Sequence, residues 1–201
     1  ENAGTIHSND VGRLGGILGG SYAGYVIGSP EGPACHIRSC VNSGVLSYGD
    51  ASVNAEQYWE NESGEDGRSL NSTEKAVVML GGSAAGGIVG STFRVVVQDC
   101  LSRGRIHLHS GCVPVGGYAF FGEKTDEDNI VFVGGICGLT TINDEDAQNA
   151  FEMEHYTNCA YTGNFPSAVC AMFLSEDSAA IAGNRQITEQ EAEAMAMELL
   201  K

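Results

Sequence analysis

The stretch Ala85-Gly86-Gly87-Ile88-Val89-Gly90 has the form apolar-Gly-Gly-Ile-apolar-Gly, and this form occurs three times in the chain. The other two copies are Leu14-Gly15-Gly16-Ile17-Leu18-Gly19 and Val133-Gly134-Gly135-Ile136-Cys137-Gly138. Each copy is followed by a second block with a Cys-x-x-x-Gly frame, and its cysteine is Cys40, Cys100 or Cys159. A paired motif that recurs at a near-constant period predicts a repeat architecture.

The number of residues between the Gly-Gly pair and the next framed cysteine varies: 24, 13 and 24. Constant motifs joined by connections of variable length are typical of a solenoid, in which strands stack in register. We expect each Gly-Gly-Ile block to place its Ile inward on a short strand, with glycines that allow sharp turns or close approach of a neighbouring coil. The three cysteines should also point inward. The following turns are predicted at Ser43-Gly44, Arg103-Gly104 and Thr162-Gly163.

Two weaker copies of the first block complete the pattern. Val113-Pro114-Val115-Gly116-Gly117-Tyr118-Ala119-Phe120 keeps a Gly-Gly-aromatic core. Ser167-Ala168-Val169-Cys170-Ala171-Met172 lies where a fourth Gly-Gly-Ile strand is expected, but it lacks the glycines. A degenerate last copy is typical of the terminal coil of a solenoid.

The Gly-Gly-Ile-Val-Gly strand followed by Asn-Cys-x-x-Thr-Gly resembles the GLUG-motif repeats of bacterial surface proteins. That family includes large secreted adhesin-like proteins and the repeat region of certain IgA-specific peptidases. The resemblance covers residues 11–175. It implies a right-handed parallel β-helix in a long extracellular chain that carries other domains. It does not imply peptidase chemistry, because the chain contains no motif of that chemistry.

The predicted fold is therefore all-β: a right-handed parallel β-helix, or solenoid, with long loop insertions and a C-terminal helix. Residues 1–180 form the repeats, and residues 181–201 form a capping or linking helix. The repeat cores are expected near residues 11–49, 77–112 and 130–175. The acidic insertion is expected at residues 50–75. The helix is predicted because Thr188 and Glu191 form a Thr-x-x-Glu capping box ahead of good helix formers.

Composition limits the partners. The 201 residues include 26 acidic and 10 basic side chains, for a formal net charge of −16. Such a chain repels phosphate backbones and anionic lipid, so we predict neither a nucleic-acid nor a membrane partner. No apolar run approaches the ~18 residues of a transmembrane helix.

Seven cysteines cannot all pair within one chain. Their spacing contains no CxxC pair, which argues against a zinc site. We expect Cys40, Cys100 and Cys159 to form a buried column of free thiols. The alternatives are a Cys35–Cys40 or a Cys137–Cys170 disulfide.

We predict no catalytic residues, no metal site and no resident cofactor. His107 and His109 share one face of a strand, which we interpret as solvent-facing. The acidic clusters at 126–129 and 143–146 are calcium candidates through Asp126, Asp128, Asp144 and Asp146, although neither has the spacing of a calcium loop. The chain also lacks the motifs of hydrolases, nucleotide-binding folds and metalloproteases.

The predicted function is that of a non-catalytic repeat segment of a secreted or cell-surface bacterial protein, acting as an adhesin, stalk or ligand-presenting surface. The candidate contact surfaces are the loops at 50–75, 123–129 and 143–156. A host protein or a neutral glycan fits the charge as a partner. The alternatives are a carbohydrate-active β-helix enzyme, of the polysaccharide lyase or glycosidase type, and the non-catalytic repeat region of a secreted peptidase.

Overall fold

A computed structural model describes residues 1–8, 13–21, 35–48, 83–92, 94–108, 112–117, 130–143 and 154–201. Within these ranges the chain is built mainly of short strands and ends in an α-helix. The first strands are β1 (Thr5–Ser8), β2 (Arg13–Gly15), β3 (Leu18–Ser21), β4 (Cys35–Arg38), β5 (Val41–Asn42) and β6 (Val45–Tyr48). The next are β7 (Ser83–Gly86), β8 (Val89–Thr92), β9 (Val95–Gln98), β10 (Leu101–Ser102), β11 (Arg105–Leu108) and β12 (Val113–Val115). The last elements are β13 (Ile130–Gly134), β14 (Cys137–Asn143), β15 (His155–Thr157), β16 (Ala160–Tyr161), β17 (Val169–Phe173), a 3-10 turn (Ala179–Ile181), β18 (Arg185–Gln186) and helix α1 (Glu189–Leu199).

The strands pair in parallel into five sheets, which we name A to E in the order in which strands β2 to β6 occupy them. Sheet A has the order β2-β7-β13-β12, sheet B has β3-β8-β14-β17 and sheet C has β4-β9-β15. Sheet D has the order β5-β10-β16-β18, and sheet E has β1-β6-β11. Consecutive strands that pass through the sheets in turn form a layer. Layer 1 is β2–β6, layer 2 is β7–β11 and layer 3 is β13–β16. The parallel all-β prediction with a C-terminal helix is confirmed at this level.

The two sequence motifs meet inside each layer. In layers 1–3, the second glycine of the Gly-Gly pair packs directly against the side chain located two residues after the framed cysteine. The pairs are Gly16–Asn42, Gly87–Ser102 and Gly135–Tyr161. A Cβ atom on any of these glycines would overlap that side chain, so only glycine fits. Asn42 also ties layer 1 to layer 2, because its side-chain amide donates to the carbonyl oxygen of Gly87 at 2.8 Å.

The isoleucines of the Gly-Gly-Ile blocks do not lie on strands, contrary to the prediction. Each occupies the bend between a strand of sheet A and a strand of sheet B. Ile88 and Ile136 are fully buried there, as predicted, but Ile17 is 37% exposed. Ile17 belongs to layer 1, which is the outermost layer of sheets A and B among the described residues, so no described layer covers it.

In every layer, a residue in the left-handed backbone conformation turns the chain between sheets C and D. Ser39, Asp99 and Asn158 have φ values of 51°, 54° and 56°, and each immediately precedes the framed cysteine. Asn and Asp tolerate this conformation better than other non-glycine residues because their short polar side chains bond locally. The next bend, predicted at Gly44 and Gly104, leads from sheet D to sheet E.

The interior is filled mainly by apolar side chains, including two of the three framed cysteines. Cys100 and Cys159 are buried, as predicted, beside Ile88, Val97 and Tyr156. Cys40 packs against the same cluster but is only half-buried. None of the seven cysteines, all of which lie in the described ranges, forms a disulfide.

The fourth layer of sheets A and B is assembled from two separate segments. β12 pairs with the outer edge of β13, and β17 pairs with the outer edge of β14. These strands are the two weaker copies of the Gly-Gly block. Ser167 joins them, because its hydroxyl accepts from the Gly117 amide at 3.2 Å and donates to the Val169 carbonyl at 2.8 Å.

Helix α1 packs along the outer face of sheet D. Its buried residues Ala192 and Ala196 lie one turn apart and share one apolar cluster with Val41, Leu101 and Ala160, which come from layers 1, 2 and 3. Small side chains at these two positions let the helix approach the sheet closely. The capping box is present as predicted: the Thr188 amide donates to the Glu191 carboxyl group at 2.9 Å, and the Glu191 amide donates to the Thr188 hydroxyl at 3.3 Å. These hydrogen bonds from Thr188 lower the pKa of Glu191.

Replacement of Gly87 by alanine should destabilise the chain strongly. The added methyl group would overlap the Ser102 side chain and the Gly135 carbonyl oxygen. We expect the free energy of unfolding to fall by at least about 2 kcal/mol, the range for an overpacked interior. Gly4→Ala is the matched control, because its methyl group would meet only the Asn2 side-chain oxygen at 3.7 Å. Urea unfolding followed by circular dichroism measures both variants, and equal stability of the two would contradict the packing.

Candidate binding surface

Chain length varies most at two corners of the layers and in residues 118–129, which join β12 to β13 within sheet A. The corners A to B, C to D and D to E are short and are made by the two motifs. At the corner from sheet B to sheet C, the connection is made by residues 22–34 in layer 1, by residue 93 in layer 2 and by residues 144–153 in layer 3. The corner from sheet E to sheet A is connected by residues 9–12 and 49–82, ahead of layers 1 and 2. The changing spacing between the motifs therefore arises at the B-to-C corner.

Most of the negative charge belongs to these connections and not to the strands. We define the acidic connections as the residues that join the described ranges: 9–12, 22–34, 49–82, 93, 109–111, 118–129 and 144–153. They hold 17 of the 26 acidic residues and 3 of the 10 basic residues. Their formal charge is therefore −14, out of −16 for the whole chain. The layered framework and helix α1 together carry only −2.

The outer face of sheet E is polar and accessible. Register pairing aligns His7, Ser47 and His107 on adjacent strands, with Arg105 two residues before His107. His7, Arg105 and His107 are exposed, so the solvent-facing interpretation of His107 is confirmed. His109 lies outside the described residues.

The calcium candidates Asp126, Asp128, Asp144 and Asp146 also lie outside the described residues, as do the predicted contact loops 50–75 and 123–129. In the ranges that the structure describes, no group of three or more His, Cys, Asp or Glu side chains is placed to hold a metal ion. Of the helices in those ranges, none is long and apolar enough to cross a membrane.

The end of the third predicted contact loop, 143–156, is buried, so this part of the prediction is wrong. Glu154 is 3% exposed, and His155 and Tyr156 are buried on β15. The hydroxyl groups of Thr140 and Tyr156 each donate to one Glu154 carboxyl oxygen at 2.7 Å. The backbone amide of Arg94, a residue with a φ of 62°, donates to the other oxygen at 2.7 Å. Glu154 therefore joins strands of sheets B and C to the start of β9.

Removal of the Glu154 carboxyl group should cost the chain much of its stability. Glu154→Ala deletes the acceptor of three buried hydrogen bonds at once, and we expect the free energy of unfolding to fall by about 3 kcal/mol or more. Glu176→Ala removes an exposed carboxylate and serves as the control, with an expected change below about 0.5 kcal/mol. Chemical denaturation of both variants tests this, and a Glu154→Ala variant as stable as the control would show that the network is not structural.

The framed cysteines form the most concentrated group of nucleophilic side chains in the described part of the chain. Each thiol contacts the carbonyl oxygen two residues before it: Cys40 that of Arg38 at 3.4 Å, Cys100 that of Gln98 at 3.2 Å and Cys159 that of Thr157 at 3.3 Å. A hydrogen bond from the Cys159 thiol lowers the pKa of Cys100. Burial raises the pKa of Cys40, and the hydrogen bond with Cys100 raises that of Cys159.

Burial also affects the two other buried cysteines. It raises the pKa of Cys170 to about 12, and it raises the pKa of Cys137. In register, Cys137 pairs with Val169 and not with Cys170, and no disulfide joins them. The alternative disulfides are thus absent from the structure.

Comparison with known proteins returns no match, whether to a protein-family model, to a curated protein or to a solved structure.

Proposed function

We propose that this chain is a non-catalytic repeat segment of a secreted or cell-surface bacterial protein of the GLUG-motif type, and that it presents loops to a binding partner. In this proposal the five sheets wind as a right-handed parallel β-helix. The observation that carries it is the division of the chain into a nearly neutral framework and acidic connections of variable length. A scaffold whose core is constant and whose loops vary is typical of binding proteins.

Charge indicates the kind of partner. Connections that carry −14 give the chain a strongly negative field, which reaches about 8 Å at physiological ionic strength. A basic or neutral host protein or a neutral glycan can approach this field, whereas nucleic acid and anionic lipid are repelled. Repetition of the framework along one axis allows several weak contacts to act together, which raises the overall affinity.

The proposal is tested by binding to a panel of host extracellular proteins and neutral glycans at physiological salt. One variant converts Glu56, Glu60, Glu62, Glu65 and Asp66 to the corresponding amides. The matched control converts the same number of exposed acidic residues of the described framework, namely Glu176, Asp177, Glu189, Glu193 and Glu198. We expect the first variant to bind its partner at least about tenfold more weakly, because complementary charge both steers and stabilises the encounter. The control should bind like the unmodified chain.

Two results would contradict this function. The first is a chain that binds no member of the panel, which leaves only a mechanical stalk. The second is shortening of the glycans during incubation, which supports the carbohydrate-active enzyme instead.

A further inference from the structure

Cys40, Cys100 and Cys159 occupy the same position in three successive layers, directly before the strands of sheet D. The Leu101 amide donates to the Cys40 carbonyl oxygen at 2.8 Å, and the Ala160 amide donates to the Cys100 carbonyl oxygen at 2.9 Å. These hydrogen bonds hold the three residues in register. Neighbouring thiols therefore repeat at the spacing of parallel strands, about 4.8 Å.

This spacing is wrong for a disulfide but suits a shared metal ion. A disulfide needs sulfur atoms about 2.05 Å apart and Cβ atoms about 3.8 Å apart. A metal–sulfur bond is about 2.3 Å long, as in zinc thiolates, so two sulfurs about 4.6 Å apart can reach one ion from opposite sides. Such a nearly linear pair suits Cu(I), which prefers thiolate ligands. Zinc would need four ligands in a tetrahedron.

The surroundings of the sulfur atoms also favour a cation. The Cys100 thiol contacts the carbonyl oxygens of Gln98 at 3.2 Å and Ile37 at 3.6 Å, and the Cys40 thiol contacts that of Arg38 at 3.4 Å. Each carbonyl presents the negative end of its dipole to the sulfur. A metal ion bound between the two sulfurs would take the place of the protons that now face these carbonyl oxygens.

We propose that Cys40 and Cys100 bind one soft monovalent metal ion, Cu(I), between layers 1 and 2. This pair is assigned because Cys40 is half-buried, so an ion reaches it without separation of the strands, whereas Cys100 and Cys159 are both buried. The ion displaces two thiol protons, which pass to solvent, and neither sulfur nor copper changes oxidation state. The site is separate from the acidic connections and does not depend on the proposed binding function.

The test is an anaerobic titration of the reduced chain with Cu(I) held by bicinchoninate, whose coloured complex reports the copper that the chain withdraws. We expect one Cu(I) per chain. Cys40→Ser and Cys100→Ser should each weaken binding by more than about a hundredfold, because loss of a supporting residue alone costs 10- to 100-fold in typical metal sites. Cys170→Ser, in another sheet, is the control and should bind like the unmodified chain, whereas Cys159→Ser should weaken binding less than either ligand variant, because Cys159 contacts Cys100 but does not hold the ion.

Circular dichroism of each variant shows whether the fold is retained. Cys40→Ser decides the test if Cys100→Ser does not fold, since the half-buried Cys40 tolerates a polar replacement. Failure of the chain to withdraw copper overturns the proposal. Copper binding that survives Cys40→Ser but is lost in Cys159→Ser overturns the assignment, and equal loss in Cys170→Ser shows binding to thiols in general.

Discussion

The layers depend on contacts between glycine and the side chain on the opposite wall of the same layer. Gly16, Gly87 and Gly135 each leave the space that Asn42, Ser102 or Tyr161 occupies, and no side chain larger than a hydrogen atom fits at those glycines. This contact explains why the two motifs always occur as a pair in the sequence. Because it fixes where sheet D lies relative to the A-to-B bend, the connections between the motifs are free to change in length.

The period and pairing of the motifs were sufficient to predict parallel strands and inward cysteines, and the Thr-x-x-Glu pattern was sufficient to predict the helix cap. Those features depend on local patterns: buried Cys100 and Cys159 repeat with the frame, and Thr188 and Glu191 are three residues apart. The sequence also indicates the left-handed corner, since Asp99 and Asn158 are residue types that adopt this conformation. The prediction assigned the turn to the glycine after the cysteine and missed the residue before it.

Other features could not be predicted because they depend on which segments become neighbours. Nothing in the local pattern of β12 and β17 indicates that they complete one layer from positions far apart in the chain. The burial of Glu154 depends on where β15 begins, and its hydrogen-bond donors come from three different strands or bends. The exposure of Ile17 follows from its position at the edge of sheets A and B, which a motif cannot reveal.

The candidate surface follows from the same division of the chain. Buried polar side chains of the framework, such as Glu154 and Asn42, form hydrogen bonds within it, and the framework carries little net charge. The connections hold most of the acidic residues and lie where no motif constrains their length. The thiol column is a property of the framework instead, because in-register stacking repeats whatever side chain follows the left-handed residue.

The most direct test of the central claim is a nuclear Overhauser spectrum of the isotope-labelled chain, recorded for the three glycine contacts. The account predicts cross-peaks from the Gly16 Hα protons to the Asn42 side chain, from Gly87 to the Ser102 Hβ protons and from Gly135 to the Tyr161 ring. The Tyr161 ring should also shift the Gly135 Hα resonances, because these protons lie against the aromatic ring. Absence of these cross-peaks in the folded chain would contradict the packing on which the layers depend.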